Sequence, residues 1–233
     1  AFYRERGFDP IWTSGSEADR ARRVALFEAI SKVDAHGLPE ARYRADALMQ
    51  RMASARSGRQ RGLLEVELTE TYLRLAHDLQ SGMLTPARVD GDIKRKPPRR
   101  DDAALLAALV EGDPRAVMRD LAPKTAEYAR LMRAKLQLEH RIAHGGWGPA
   151  VSASKLEPGQ SGRAVVALRD RLVAMGYLTP HLGASYDSRM QAAVQRFQED
   201  MGLEADGVTG AATLTQINSS PEERLKSVIV AME

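Results

Sequence analysis

Ser188-Arg189-Met190-Gln191-Ala192-Ala193-Val194-Gln195-Arg196-Phe197-Gln198-Glu199-Asp200-Met201-Gly202 is the stretch on which the fold turns. At about 3.6 residues per turn, Met190, Ala193, Val194 and Phe197 fall in one row along a helix, with charged and amide side chains on the other faces. Asp187 stands where an N-cap is needed and Gly202 where a helix stop is expected. A helix of this length cannot bury an apolar row alone, so it demands partners. Two lie close by. Gly162 to Met175 carries Val165, Leu168, Leu172 and Met175 inward and closes at Gly176. Thr209 to Ile217 offers Leu214 and Ile217. The spacing predicts a compact three-helix bundle of roughly 65 residues, near the lower limit for a domain folding alone.

Upstream, Ser152 to Ser161 is small, polar and turn-forming after Trp147-Gly148-Pro149, which places a domain boundary near Val151. Residues 1–150 then read as a larger helical domain. Phe2 to Trp12 is an ordered opening segment with Trp12 as core anchor. Glu17 to Ala35 follows, with Val24, Phe27, Ile30 and Val33 on one side and Gly37 as stop. Arg44 to Met52 is a further helix. Leu63 to Ser81 is the clearest of all, with a stripe of Leu68, Tyr72, Leu75, Ala76 and Leu79. Gly82 to Arg100 is a turn-rich linker containing Thr85-Pro86, Asp90-Gly91 and Pro97-Pro98. Helices return at Asp101 to Val110, behind Asp113-Pro114, and at Thr125 to His144. Residues 151–219 form the bundle domain. In the tail, 220–233, Ser220-Pro221-Glu222-Glu223 combines an N-cap, a first-position proline and a capping-box glutamate. Its stripe of Leu225, Val228, Ile229 and Met232 must be covered, either by the first domain or by a further domain beyond Glu233; both can hold. The expected fold class is mainly α: a helical domain, a three-helix bundle and a terminal helix.

Composition agrees. Apolar residues are 43% of the 233, aromatics only 5%, and Ala, Leu, Val and Met dominate, a mixture that favours helices. A net charge of +3 permits attraction to anionic polymers without choosing among them. The absence of cysteine excludes disulfides, thiolate metal sites and a cysteine nucleophile within these residues. No apolar run is long enough to span a membrane, and no signal peptide opens the chain, which starts on the amphipathic Ala1-Phe2-Tyr3-Arg4 as a cut or processed chain would.

Several constellations have blander readings. His140 and His144 sit four apart on a helix, but Arg141 follows the first histidine and no third ligand is evident, so no metal or other cofactor is expected. Lys94-Arg95-Lys96 with Arg99-Arg100 is a solvated loop or a contact for an anionic surface, and the surrounding aspartates cancel part of its field. Asp90-Gly91-Asp92 and Asp206-Gly207 lack the acidic ladder of a calcium loop and read as turns. Nucleic-acid binding is not expected, since Glu199 and Asp200 end the second bundle helix and few basic residues share it.

Leu156 to Ile217 resembles the peptidoglycan-binding domain attached to many wall hydrolases and transpeptidases. The resemblance is carried by Leu156-Glu157-Pro158-Gly159-Gln160-Ser161-Gly162, Met175-Gly176-Tyr177, Tyr186-Asp187, Phe197-Gln198, Gly202-Leu203, Asp206-Gly207-Val208, Gly210 and Thr213-Leu214. Met190 departs from the threonine usual there. The first half resembles the scaffold domain of large periplasmic L,D-transpeptidases, through Phe2-Tyr3, Pro10-Ile11-Trp12, His36-Gly37-Leu38-Pro39, Leu121-Ala122-Pro123 and Gly145-Gly146-Trp147. The resemblance implies a place in the bacterial periplasm or cell envelope, with peptidoglycan as partner. It also implies a role as the non-catalytic wall-binding and scaffolding portion of an enzyme that cross-links stem peptides. That chemistry needs a cysteine in a Ser-His-Gly-Cys type motif, so a catalytic domain of the same polypeptide, absent from these residues, would supply it. Sugar rings stack on aromatic faces, and stem-peptide amides and carboxylates accept bonds from Arg and Gln. Tyr177, Tyr186, Arg189 and Gln198 are therefore the candidates for an exposed groove, the alternative being that both tyrosines are structural edges. The rival to wall binding is a docking module for a partner protein or the catalytic domain.

Overall fold

The structure is a computed structural model describing residues 1–84, 92 and 99–233. Its described residues form α1 (Phe2–Glu5), α2 (Glu17–Ile30), α3 (Ala45–Ser54), α4 (Gly58–Ser81), α5 (Asp102–Glu111) and α6 (Pro114–Arg119). Then come α7 (Ala126–Ala143), α8 (Arg163–Ala174), α9 (Ser188–Asp200), α10 (Ala211–Asn218) and α11 (Pro221–Met232). Short 3₁₀ turns occupy Val33–His36 and Glu40–Tyr43. The protein is mainly α, and β pairing among the described residues is confined to two isolated bridges. By contacts it separates into two units: Ala1–Arg133 with Ile229–Glu233, and Ala134–Val228.

In the first unit α4 is the organising element. Leu68, Tyr72, Leu75, Ala76 and Leu79 are all buried, as their spacing predicts. The helix begins earlier than its apolar stripe because Ser57 and Gln60 close a reciprocal capping box, the Ser57 hydroxyl accepting from the Gln60 amide and the Gln60 side chain from the Ser57 amide. The second helix is shorter than expected, ending at Ile30, and Val24 is 40% exposed rather than inward. Each step of three residues falls about 60° short of a full turn, so a run of such steps drifts off one face. Ala25, Leu26 and Ile30 carry the burial instead. Gly37 then adopts φ +78°, the left-handed conformation that ends the following 3₁₀ turn.

Polar closure of this core rests on two carboxylates of α4. Glu65, only 7% exposed, accepts from Tyr3 Oη (2.8 Å), Ile11 N (2.6 Å), Trp12 N (3.2 Å) and Thr13 Oγ1 (2.8 Å). It thereby fixes the opening segment and holds the fully buried Trp12 against Tyr72, ring centroids 6.1 Å apart. Asp78 accepts a two-point bond from Arg42 and the hydroxyl of buried Tyr43. At the chain's end, Glu233 accepts from the amides of Met83 and Leu84, and Ile229 lies against Gly37.

The second unit contains the bundle. Val165, Leu168 and Leu172 of α8, Met190, Ala193, Val194 and Phe197 of α9, and Leu214 and Ile217 of α10 are buried in one core. Met190 is 0% exposed, and its amide still donates to the N-capping Asp187, so the departure from threonine adds packing without loss of the cap. Val151, near the expected boundary, belongs to this same core, and its amide and carbonyl both pair with the Asn218 carboxamide. The expected linker and its basic run fall outside the described residues except for Gly82–Leu84, Asp92, Arg99 and Arg100.

Glu65→Leu removes the acceptor while keeping the bulk, leaving the Ile11 and Trp12 amides buried and unpaired. We expect a loss of about 3 kcal/mol, with a smaller loss for Glu65→Gln, which retains one acceptor oxygen. Denaturant unfolding followed by Trp12 fluorescence in a Trp147→Phe background measures both.

Candidate functional site

Within the bundle, the loops between helices are held by one carboxamide. Gln198, on the inner side of α9 and 2% exposed, donates through Nε2 to Asp206 Oδ1 (2.9 Å), Val208 O (2.9 Å) and Thr213 Oγ1 (3.1 Å). Its Oε1 accepts from the Gly207 amide at 2.9 Å. Tyr186, 1% exposed, donates its hydroxyl to Gly207 O (2.8 Å) and shares a bond with Thr209 Oγ1 (3.1 Å). The turn so gripped pairs onward, Thr209 and Leu156 exchanging both backbone bonds. Asp206, bonded by the Val208 amide and then by Gln198, is held below the usual carboxylate range. Gly207 sits at φ +74°, and a Cβ there would meet Gln191 Cγ at 2.6 Å, so only glycine fits without adjustment.

This corrects the expected exposure of two candidate residues. Tyr186 and Gln198 do meet, through the Gly207 turn, but in the interior, because a loop buried against α9 must satisfy its backbone groups and these side chains do so. Arg189 is exposed and occupied by Asp187 at 3.0 Å. Tyr177 is half-buried, edge-on to Phe197 at 5.2 Å, and donates its hydroxyl to Asp200 at 2.8 Å. Burial, with the Asp200 contact next, pushes the Tyr177 phenol up to about 12. The His140 and His144 rings lie tilted at 36° with centroids 4.0 Å apart, and His144 Nδ1 bonds the His140 carbonyl. Among the described residues no cluster of three metal-ligating side chains forms.

Tyr177 opens onto a groove of about 790 Å³ within the second unit, walled by Leu136, His140 and Arg141 on one side and by Val173, Trp147 and Val228 elsewhere. Arg224 lies in it, its guanidinium 4.8 Å from the Trp147 ring and 5.5 Å from the Phe197 ring. A second arginine, Arg171, is 4% exposed and donates to the carbonyls of Ile217, Gly148, Pro149 and Ser219. It thus collects orphan carbonyls at the end of α10 and ties down the segment after Trp147. Sequence reading passed over both arginines. For Arg224 a signal existed: it shares one face of α11 with Val228, four residues on. For Arg171, whose partners are backbone carbonyls far along the chain, there was none.

Comparison with known proteins fits this division. The family described as "Scaffold domain" matches residues 1–134, and the chain belongs to that family. Residues 161–217 match the family described as "Putative peptidoglycan binding domain", so the three-helix bundle is a peptidoglycan-binding domain. A curated relative, the N-acetylmuramoyl-L-alanine amidase CwlL of Bacillus licheniformis, is 42% identical over 60 residues, spanning 25% of this chain and 17% of the amidase. No described helix is long and apolar enough to cross a membrane.

Gln198→Leu should strand the Gly207 amide and the Thr213 hydroxyl at a cost of about 2–4 kcal/mol. Gly207→Ala should cost about 1–3 kcal/mol through its positive φ alone. Hydrogen exchange of the α8–α10 amides reads both, with faster exchange expected in each variant and little change in α4.

Proposed function

We propose that the chain is the non-catalytic wall-binding and scaffolding portion of an L,D-transpeptidase, an enzyme of the bacterial periplasm that cross-links peptidoglycan stem peptides. The observation that carries this reading is the order of its parts: a scaffold-family domain over residues 1–134 followed directly by a peptidoglycan-binding domain over 161–217. Acyl transfer between stem peptides needs an activated thiolate. These 233 residues contain no cysteine, so in this reading the nucleophile belongs to a catalytic domain of the same polypeptide. The bundle would then act by tethering. Holding a catalyst on its polymer raises the local substrate concentration without any new contact at the reacting atoms. The relative named above is a wall amidase, a different activity joined to a similar module, and that agrees with binding modules being portable between catalysts.

For wall contact, Tyr177 and Arg189 are the two expected site residues that reach the surface, while Tyr186 and Gln198 would serve by shaping the loop behind them.

Co-sedimentation of the intact 233-residue chain with purified, protein-free sacculi tests the reading. The expected result is pelleting well above a heat-denatured control and reduced by added salt, because the wall's carboxylates are screened. Pelleting equal to the control removes the wall-binding claim. Pelleting that requires an added catalytic domain, and occurs without sacculi, replaces it with the docking alternative.

A further inference from the structure

The matched peptidoglycan-binding segment supplies only one side of the Arg224 groove, through Val173 and Tyr177; the rest comes from outside it. Trp147 precedes residue 161, Arg224 and Val228 follow residue 217, and Leu136, His140 and Arg141 come from α7. Its electrical character is one-sided. The lining holds Arg224, Arg141 and His140, and no aspartate or glutamate. Among the described residues the acidic group bonded to a lining side chain is Asp200, which is taken by the Tyr177 hydroxyl. Among the described residues Arg224 makes a single hydrogen bond, from one terminal nitrogen to Gln216 O at 3.1 Å, and no ion pair. Its remaining N–H groups are uncommitted, although ring faces of Trp147 and Phe197 flank it. Burial lowers its pKa from the ordinary arginine value, and its charge in turn helps lower that of buried Arg171. A guanidinium does not release its proton under such pressure, so the site remains cationic and short of a counter-charge.

A partly desolvated cation with unused donors is costly unless something anionic completes it. The walls narrow what that is. Trp147, Tyr177, Leu136, Val173 and Val228 offer apolar and aromatic faces, suited to methyl groups and sugar rings rather than to a bare inorganic ion. Arg is planar and forked, and matches a carboxylate with two parallel bonds.

We propose that the groove between α7, α8 and α11 is a carboxylate-binding subsite. In it Arg224 would receive a free carboxylate of a wall stem peptide while Trp147 and Tyr177 hold the adjoining apolar part of the ligand. This rests on the wall-binding reading above and adds to it a ligand group and a place. The subsite lies beside the bundle, assembled from segments on both sides of it, so the flanking chain contributes to recognition.

The test uses the intact chain and a soluble disaccharide-tetrapeptide released from sacculi by muramidase, in its acid form and with its carboxyls amidated. Calorimetric titration of wild type should favour the acid form by about tenfold, an ordinary magnitude for one charge-assisted pair at a half-open site. Arg224→Gln should lose that preference, so that amidation has no further effect on the variant. Equal binding of the two forms by wild type overturns the proposal, as does an undiminished preference in Arg224→Gln. Should Arg224→Gln fail to fold, wild type still decides. The acid ligand must shift the Trp147 indole N–H resonance, with Trp12 in the other core as control, and a ligand that binds without moving it sits elsewhere. Sacculus pelleting distinguishes the two failures. Pelleting with no acid preference leaves wall binding intact and removes only the subsite; no pelleting removes the reading on which the subsite rests.

Discussion

The Gln198 carboxamide is the constraint on which the bundle depends. A three-helix unit of this size has room for one layer of apolar side chains, and its loops necessarily press against that layer. Backbone amides and carbonyls in those loops lose water and need replacements. One side chain on α9 supplies two of them, to the Gly207 amide and the Val208 carbonyl, and gathers the Asp206 and Thr213 side chains into the same hydrogen-bonded node. Tyr186 closes the other side of Gly207. The ordered residues by which the module resembles wall-binding domains therefore describe how the fold is shut. Phe197-Gln198, Asp206-Gly207-Val208 and Thr213-Leu214 are two buried side chains, a gripped turn and the helix that follows it. They specify an architecture, and ligand contact must come from side chains that this node leaves free.

The scaffold unit solves the same problem with charge instead of an amide. Glu65 is acceptor to two backbone amides and two hydroxyls, and Asp78 to an arginine and a tyrosine. A carboxylate offers about four lone-pair sites and no donor, so it suits a place where only donors converge. The opening segment, which has no helix of its own beyond α1, presents such donors. An amide suits the bundle, where donors and acceptors are mixed. Each core thus closes over buried polar side chains matched to the donors and acceptors that converge on them.

Most of the helices were legible in the sequence because they announce themselves locally. Asp187, Asp113 and Ser220 cap where their positions predict, and the Met190, Ala193, Val194, Phe197 row is wholly buried. The errors have local causes as well. Repeated spacing by three misplaced Val24, and a capping box upstream of the apolar stripe lengthened α4. The candidate site was less legible. Aromatic and amide residues near turns read as exposed recognition groups, but whether such a side chain faces a ligand or a loop depends on backbone far away in sequence. Gln198 reaches across to Thr213 and Arg171 across to Gly148, and no periodicity encodes those meetings. Trp147 marks only a boundary in the sequence. In the fold it is 7% exposed, and its face is the surface against which Arg224 rests.

Arg171 and Arg224 illustrate how structure separates a structural cation from a recognising one. Both are partly desolvated, both have their pKa lowered by burial, and Arg171 feels the charge of Arg224. Arg171 spends three nitrogens on four backbone carbonyls, at least one of which ends a helix and carries partial negative charge. Its charge is compensated inside the protein, and its removal would release the segment between Trp147 and the bundle. Arg224 has one carbonyl and two ring faces, a weaker set that stabilises the guanidinium through its quadrupolar partners without using its donor fork. The two cations therefore differ in what is left over: Arg171 has its donors taken by carbonyls, and Arg224 does not. The result is a positive site whose geometry is held by Arg171 and whose unused hydrogen-bonding capacity is concentrated on Arg224.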